Sequence, residues 1–201
     1  MADAWTQLVK SVAPPGILEA TGALVFTYND LEFALYGVLG CFIPEDAVPA
    51  LYYELHNTGR VNAISALARE RLDDLQRDAL AHGLRCFAIC TENRNLLAHA
   101  WAEPTPAGFQ QDKITFVKAI SGKPGNVGEY WFGTAEIREA AISMDHASTY
   151  LYALVDSFTS VLFAGDGDQP IPLPTKPALP ATFSLHRRKE DPADAQFPSQ
   201  S

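Results

Sequence analysis

The sequence predicts an all-α fold, an up-and-down helical bundle with one small β-hairpin insertion. Two observations predict this fold. Apolar residues recur at helical spacing over most of residues 17–165. Prolines and glycines interrupt the pattern at a few places that suit helix ends. We therefore divide the chain into a lead-in over residues 1–16, a helical bundle domain over residues 17–165 and a Pro-rich tail over residues 166–201.

Four helices are predicted before the hairpin. The first, over residues 17–40, is apolar on most faces, which is typical of a central helix or of one at a subunit interface. A short helix over residues 44–57 and a third over residues 60–72 follow. A long helix over residues 75–101 comes next, and Gly83 inside it indicates close packing against a neighbouring helix.

The hairpin is predicted over residues 113–133, where two β-prone runs flank a loop containing glycine and proline. A two-stranded hairpin is unstable alone, so we expect it to lie against the helices. Thr134 is the predicted N-cap of the last helix, with Glu136 in its first turn. The apolar seam of this helix consists of Ile137, Ala141, Met144, Ser148, Leu151, Val155, Phe158 and Leu162.

The tail changes character, because five prolines punctuate a stretch without periodicity. We predict that it is disordered or loosely draped over the bundle. Its basic cluster, residues 186–189, is followed by Glu190 and Asp191, and we interpret it as a solvated charge run.

Composition and charge restrict the function. Apolar residues make up 47% of the 201 residues and the formal net charge is −9. An acidic surface does not attract nucleic acid at long range, so a protein that coats DNA or RNA is disfavoured, whereas a local contact in a cleft is allowed. The odd number of cysteines, three, predicts no disulfide framework. The chain start is unlike a signal peptide and no apolar run reaches the roughly 18 residues of a membrane span, so we expect a soluble, cytoplasmic protein without a membrane partner.

The long helix ends in an unusual polar group. Arg94, Asn95 and His99 lie on its last turns beside apolar residues, where packing alone does not need them. Asn95 and His99 are four residues apart and share a face, while Arg94 points about 100° away. The run Arg94-Asn95-x-x-x-His99 resembles the R-x4-H signature of the HEPN superfamily, in its commonest form with a polar residue directly after the arginine.

The resemblance implies a HEPN-like bundle over roughly residues 17–164 and a metal-independent endoribonuclease, often a toxin or defence component. It implies that Arg94 binds the scissile phosphate, His99 is the general acid/base and Asn95 orients the histidine or a phosphate oxygen. The RNA itself would supply the attacking 2′-hydroxyl, with no cofactor or metal and no DNA substrate. The resemblance also allows a neutralising antitoxin, such as a nucleotidyltransferase, as a partner.

The angular spread of the motif makes a homodimer a requirement of the enzymatic interpretation. One chain would make a lopsided site, whereas a two-fold axis presents the same residues twice and so completes a composite active site. The alternative is a non-catalytic HEPN-like interaction or dimerisation module that binds a partner protein or a nucleotide. In that case Arg94 would pair with an acid such as Glu92 or Glu103, and His99 would cover the helix end.

A rival metal site is disfavoured by spacing. His82, Cys86 and Cys90 recur every four residues, which places the outer two ~12 Å apart along a helix, too far for one zinc ion. We therefore assign them to core packing and predict no metal site. His56 and Arg60 carry no assigned chemistry, although either could line a cleft.

Overall fold

The computed structural model of the chain describes residues 13–103, 113–119, 127–165, 167–183 and 187–189; of residues 15, 101–103, 127 and 187–189 it describes the backbone alone. Within this part of the chain the helices are α1 (Pro15–Gly40), α2 (Val48–Glu54), α3 (Asn57–Arg71), α4 (Asp74–His99) and α5 (Thr134–Leu162). The strands are β1 (Trp101–Glu103), β2 (Lys113–Ala119), β3 (Val127–Gly133) and β4 (Arg187–Lys189). The prediction of a mainly helical fold with an antiparallel hairpin is confirmed.

The core lies between three long helices. α1 packs most extensively against α5, and α4 packs against both. The predicted seam of α5 faces this core: its buried members are Ile137, Ala141, Met144, Ser148, Leu151 and Phe158. Gly83 of α4 lies against the same seam, since a Cβ atom there would lie 2.6 Å from Cδ2 of Leu151. The prediction that Gly83 permits close packing is therefore confirmed.

Local chemistry explains where the helices begin. Asp73 caps α4 through a capping box, because its Oδ1 accepts from Gln76 N (2.8 Å) and Gln76 Oε1 accepts from Asp73 N (3.0 Å). The predicted N-cap Thr134 is wrong by one position: Gly133 precedes α5, and Glu136 Oε2 accepts its N–H at 3.0 Å. α1 begins at residue 15 rather than 17, since a proline tolerates the first turn of a helix.

The other predicted bounds also need small corrections. α2 is shorter than the predicted helix over residues 44–57, and α3 begins at Asn57 rather than at residue 60. α4 ends at His99 instead of residue 101, because Ala100 adopts an extended backbone (ψ 147°). The next three residues pair with β2 as strand β1. Residues 1–12 of the predicted lead-in, and the Trp101 side chain, lie outside the described part of the chain.

The hairpin lies in a larger sheet than predicted. β2 and β3 pair antiparallel from Lys113↔Gly133 to Ala119↔Val127, which confirms the predicted hairpin. β1 and β4 flank the pair, so that the antiparallel sheet has the order β1-β2-β3-β4. Phe116 and Phe132 are buried and belong to the hydrophobic core, which anchors the sheet on the helices as expected.

Part of the predicted tail lies along the helices. Residues 167–183, the C-terminal strap, form neither helix nor strand, and side chains of α5 and α4 hydrogen-bond to their backbone. That the tail as a whole is disordered or loosely draped stays a prediction. Ser157 Oγ donates to Ile171 O (2.9 Å), His82 Nε2 donates to Pro177 O (2.9 Å), and Asn93 Nδ2 donates to Ala181 O (2.8 Å). Prolines lack the backbone N–H that helices and sheets need, but the backbone carbonyls of a proline-rich segment can still accept hydrogen bonds from side chains. The side chains of the basic cluster lie outside the described part of the chain, while the backbone of residues 187–189 forms β4.

Candidate active site

The motif arginine lies on the last turns of α4 and faces α1. The guanidinium carbon of Arg94 is 4.5 Å from the ring centroid of Tyr28, a cation–π contact. Its Nη1 donates to Asn95 Oδ1 at 2.9 Å. Arg94 is half-buried, and no carboxylate in the described part of the chain forms an ion pair with it. Of the two acids named for the alternative interpretation, Glu92 does not form an ion pair with Arg94, and the Glu103 side chain lies outside the described part of the chain.

A series of hydrogen bonds, each with a defined donor, holds the Tyr28 ring against Arg94. Thr91 Oγ1 donates its only hydrogen to Phe87 O at 2.8 Å, so the Tyr28 hydroxyl must donate to Thr91 Oγ1 at 3.0 Å. The same Tyr28 oxygen accepts from Asn57 Nδ2 at 2.9 Å. Burial raises the pKa of the Tyr28 phenol above its ordinary value, so the neutral form that donates to Thr91 is favoured.

This series of hydrogen bonds begins at a second arginine, which has an acidic partner. Arg60 Nη1 donates to Asn57 Oδ1 (2.9 Å) and to Glu32 Oε1 (3.3 Å), while its Nε donates to Tyr52 O (2.8 Å). Its guanidinium carbon also lies 3.8 Å from the centroid of the Tyr52 ring. Arg60 therefore supports the network from the side of α3, and its charge is compensated by Glu32 within the chain.

The motif histidine lies one helical turn beyond Asn95. His99 is exposed at the last position of α4. Within the described part of the chain it makes no hydrogen bond or ion pair, and so it does not contact Arg94 or Asn95 through one. One chain thus brings Arg94 and Asn95 together and leaves His99 free at the helix end.

A cavity of about 280 Å³ lies beside Asn95, on the side of α4 that faces the sheet. Its lining includes Asn95 and Asn93 of α4, Lys118 of β2, Tyr130 of β3 and residues 182–183 of the strap. The lining also includes the carboxylate of Glu92, so amides, one cation, one anion and an aromatic ring here suit a polar, planar ligand. Asn95 belongs both to this cavity and to the hydrogen bond with Arg94, and it therefore links the two.

Several of these residues escaped the sequence analysis. Tyr28 and Asn57 were missed because their roles depend on contacts between different helices. Thr91 and Asn93 stand within the polar end of the predicted helix, next to the motif, and that position was the available signal. His56 is exposed, and Arg60 supports the network rather than lining the cavity beside Asn95.

The rival cysteine constellation lies in the core. Cys86 and Cys90 are fully buried free thiols. His82 donates to Pro177 O of the strap, and its ring centroid lies 5.7 Å from that of Tyr150, with the two ring planes at 82°. Burial raises the pKa of both thiols, that of Cys90 to about 12, which disfavours the thiolate that a metal needs. Among the described residues no group of three or more potential ligands is placed to hold a metal ion.

None of the helices in the described part of the chain combines the length and the apolar composition that crossing a bilayer requires. Comparisons of the chain with models of protein families, with curated proteins and with solved structures found no match.

Proposed function

We propose that this protein is a metal-independent endoribonuclease of HEPN type, with a composite active site at a homodimer interface. The observation that carries the proposal is the state of Arg94. Its guanidinium is half-buried, oriented by Tyr28 and Asn95, and has no carboxylate partner among the described residues. A cation held in this way suits an anion from outside the chain, and a planar guanidinium suits a phosphodiester well.

The residues divide the chemistry between them. Arg94 binds the non-bridging oxygens of the scissile phosphate and stabilises the charge that develops there. A neutral His99 takes the proton of the 2′-hydroxyl, whose oxygen attacks phosphorus, while a protonated His99 gives a proton to the departing 5′-oxygen. The products are a 2′,3′-cyclic phosphate and a 5′-hydroxyl. This chemistry uses the ribose 2′-oxygen, so DNA is not a substrate.

A second copy of the chain completes the site. Arg94 points about 100° away from the helix face that Asn95 and His99 share, so we infer that a two-fold partner brings the acid/base group and the phosphate-binding group to opposite sides of one phosphate. The substrate contact is local, in line with the formal net charge of −9. We further propose a cytoplasmic toxin or defence role, with a neutralising antitoxin such as a nucleotidyltransferase as partner.

A non-catalytic interaction or dimerisation module is the second candidate, and one observation favours it. Large aromatic side chains stand exposed on α1 and α2, with Phe26 at 78%, Phe33 at 65% and Tyr53 at 77% of full exposure. Exposed aromatic rings are enriched at protein interfaces. This candidate requires no turnover, so substitutions in the motif would change partner binding alone.

The test compares RNA cleavage by the purified wild type, His99→Ala and Arg94→Ala in the presence of a metal chelator. His56→Ala is the matched control, because His56 is also an exposed histidine but lies at the start of α3. We expect cleavage by the wild type and by the control, a loss of about 10²-fold or more in both motif variants, and no cleavage of the matching DNA. Equal cleavage by all four proteins would refute the enzymatic proposal.

A further inference from the structure

The residue immediately before the motif arginine is almost fully buried and binds the strap. Asn93 is 2% exposed. Its Nδ2 donates to Ala181 O at 2.8 Å, and its Oδ1 accepts from Phe183 N at 2.9 Å. Both ends of the amide are therefore engaged by one short stretch of the strap, which offers it one acceptor and one donor.

The same stretch places an aromatic ring on the sheet. The ring of Phe183 lies against Phe132 of β3, with 4.2 Å between the ring centroids and 31° between the planes. Phe116 and Tyr130 extend this aromatic surface, with centroids 5.8 Å and 6.1 Å from that of Phe132. Residues 181–183 thus present three features together: an acceptor, a donor and the face of a ring.

An unpaired nucleobase presents the same three features. A side-chain amide reads the adjacent donor and acceptor on the edge of a base, adenine above all, and single-stranded bases stack on aromatic side chains. A base that replaced residues 181–183 would find Asn93 for its edge and Phe132 for its face.

Open space lies on both sides of these residues. Thr182 and Phe183 line the cavity of about 280 Å³ beside Asn95, whose wall also holds Lys118 and the carboxylate of Glu92. They also line a second cavity of about 220 Å³ beside α5, whose wall holds two carboxylates, Glu136 and Glu139. The departure of residues 182–183 would enlarge the space beside Asn95. We therefore place the bound strand in the first cavity, where Lys118 offers it a cation.

We propose that Asn93 and Phe132 form a subsite for an unpaired base of the RNA, and that strap residues 181–183 occupy this subsite until RNA displaces them. The proposal rests on the proposed function, since it takes RNA as the ligand of the neighbouring motif. It adds a specificity to that function: the substrate is single-stranded next to the cleaved bond, with a preference for adenine. It also makes the strap an internal competitor of the substrate.

The experiment measures binding separately from cleavage. The probe is a short fluorescein-labelled, adenine-rich oligoribonucleotide with 2′-O-methyl groups, which cannot be cleaved by attack of its own 2′-oxygen. Its Kd is measured at one salt concentration for the full-length wild type, Phe183→Ala and Leu179→Ala. Leu179 is the matched control, because it lies on the same strap and is 43% exposed.

We expect Phe183→Ala to bind about tenfold more tightly than the wild type, because the competing ring is gone, and Leu179→Ala to bind as the wild type does. Adding Asn93→Leu to Phe183→Ala removes the amide at similar volume and is expected to abolish the gain. An unchanged or weaker affinity of a well-folded Phe183→Ala protein would overturn the proposal. So would an equal gain in Leu179→Ala.

A second measurement on the wild type covers the case in which Phe183→Ala does not fold. Asn93 protects the Phe183 amide from hydrogen exchange, and saturating probe is expected to accelerate exchange in residues 181–183. Unchanged or slower exchange there would overturn the proposal. If RNA cleavage depends on His99 but Phe183→Ala binds the probe with the wild-type Kd, only the subsite proposal is refuted. If Phe183→Ala binds more tightly than the wild type but no protein cleaves RNA, only the nuclease proposal is refuted.

Discussion

Tyr28 supports Arg94 through its hydroxyl and through its ring, and two substitutions separate these contributions. Tyr28→Phe removes the hydroxyl that joins Asn57 to Thr91 and keeps the ring. We expect a loss of about 1 kcal/mol in the free energy of unfolding, the usual net worth of such a hydrogen bond. Tyr28→Leu also removes the ring, which takes away a cation–π contact of about 1 kcal/mol and leaves unfilled core volume. We therefore expect it to cost about 2 kcal/mol more than Tyr28→Phe.

The two variants are compared by urea unfolding and by RNA cleavage at a temperature where both are folded. We expect Tyr28→Phe to cleave at nearly the wild-type rate and Tyr28→Leu to lose about tenfold, since the guanidinium is no longer oriented. A readout that needs no turnover is the rate at which phenylglyoxal modifies Arg94, followed by mass spectrometry. It should rise in Tyr28→Leu alone. Equal modification rates in all three proteins would show that the ring does not orient Arg94.

Two further predictions concern stability. Gly83→Ala places a Cβ 2.6 Å from a methyl of the fully buried Leu151, so overpacking of about 1–3 kcal/mol should outweigh the helix-propensity gain of about 1 kcal/mol. A Cβ at Gly22 would have no atom within 4 Å, so Gly22→Ala should raise the free energy of unfolding. A higher urea midpoint for Gly83→Ala than for Gly22→Ala would contradict the close packing at Gly83. Burial raises the pKa of Cys90 from 9.0, and that of Tyr150 from 10.0, to about 12 in both cases. Because the folded state keeps these protons to a higher pH than the unfolded state, the contribution of each group to the free energy of unfolding is fully present below about pH 9 and is lost as the pH rises towards about 12. Urea midpoints across this range should fall, less steeply for Cys90→Ala, and a constant midpoint would refute the shift.

The parts of the fold that the sequence predicts correctly depend on local information. The seam from Ile137 to Phe158 repeats at bundle spacing. This signal lies within a single helix, where the residues that share a face are close in sequence. Side-chain periodicity therefore located the long helices to within a few residues, whereas the capping box of Asp73 and Gln76 was not predicted.

The errors arise where the partner is distant in the chain. The end of α4 depends on the pairing of residues 101–103 with β2, and composition cannot reveal that pairing. The contacts of the strap could not be predicted, because its prolines show only that it does not form helix or sheet hydrogen bonds within itself, while its partners lie far away in the chain. Asn93 is 88 residues from Ala181 and 90 from Phe183. A proline-rich segment without periodicity can therefore be ordered when helix side chains supply the donors.

The candidate site shows the same division. The motif identified Arg94 and Asn95, which the structure joins by a hydrogen bond, because adjacent residues need no tertiary information to be paired. Their placement on Tyr28 depends on α1, and the orientation of Tyr28 depends in turn on Asn57 of α3. Whether His99 meets Arg94 across a two-fold axis stays a prediction.

The contrast between the two arginines of the network gives the strongest physical reason to look for an anionic ligand. Both guanidinium groups lie over a tyrosine ring and both donate to an asparagine. Arg60 also has Glu32, so its charge is balanced within the chain. Arg94 has no such partner among the described residues, in a protein with 24 acidic and 15 basic side chains, where a carboxylate would be easy to supply. A half-buried cation loses part of its hydration without a compensating charge, and an incoming phosphate would provide that charge. The same network therefore balances the charge of Arg60 and leaves that of Arg94 without a carboxylate among the described residues, which is why we propose an anionic ligand for Arg94.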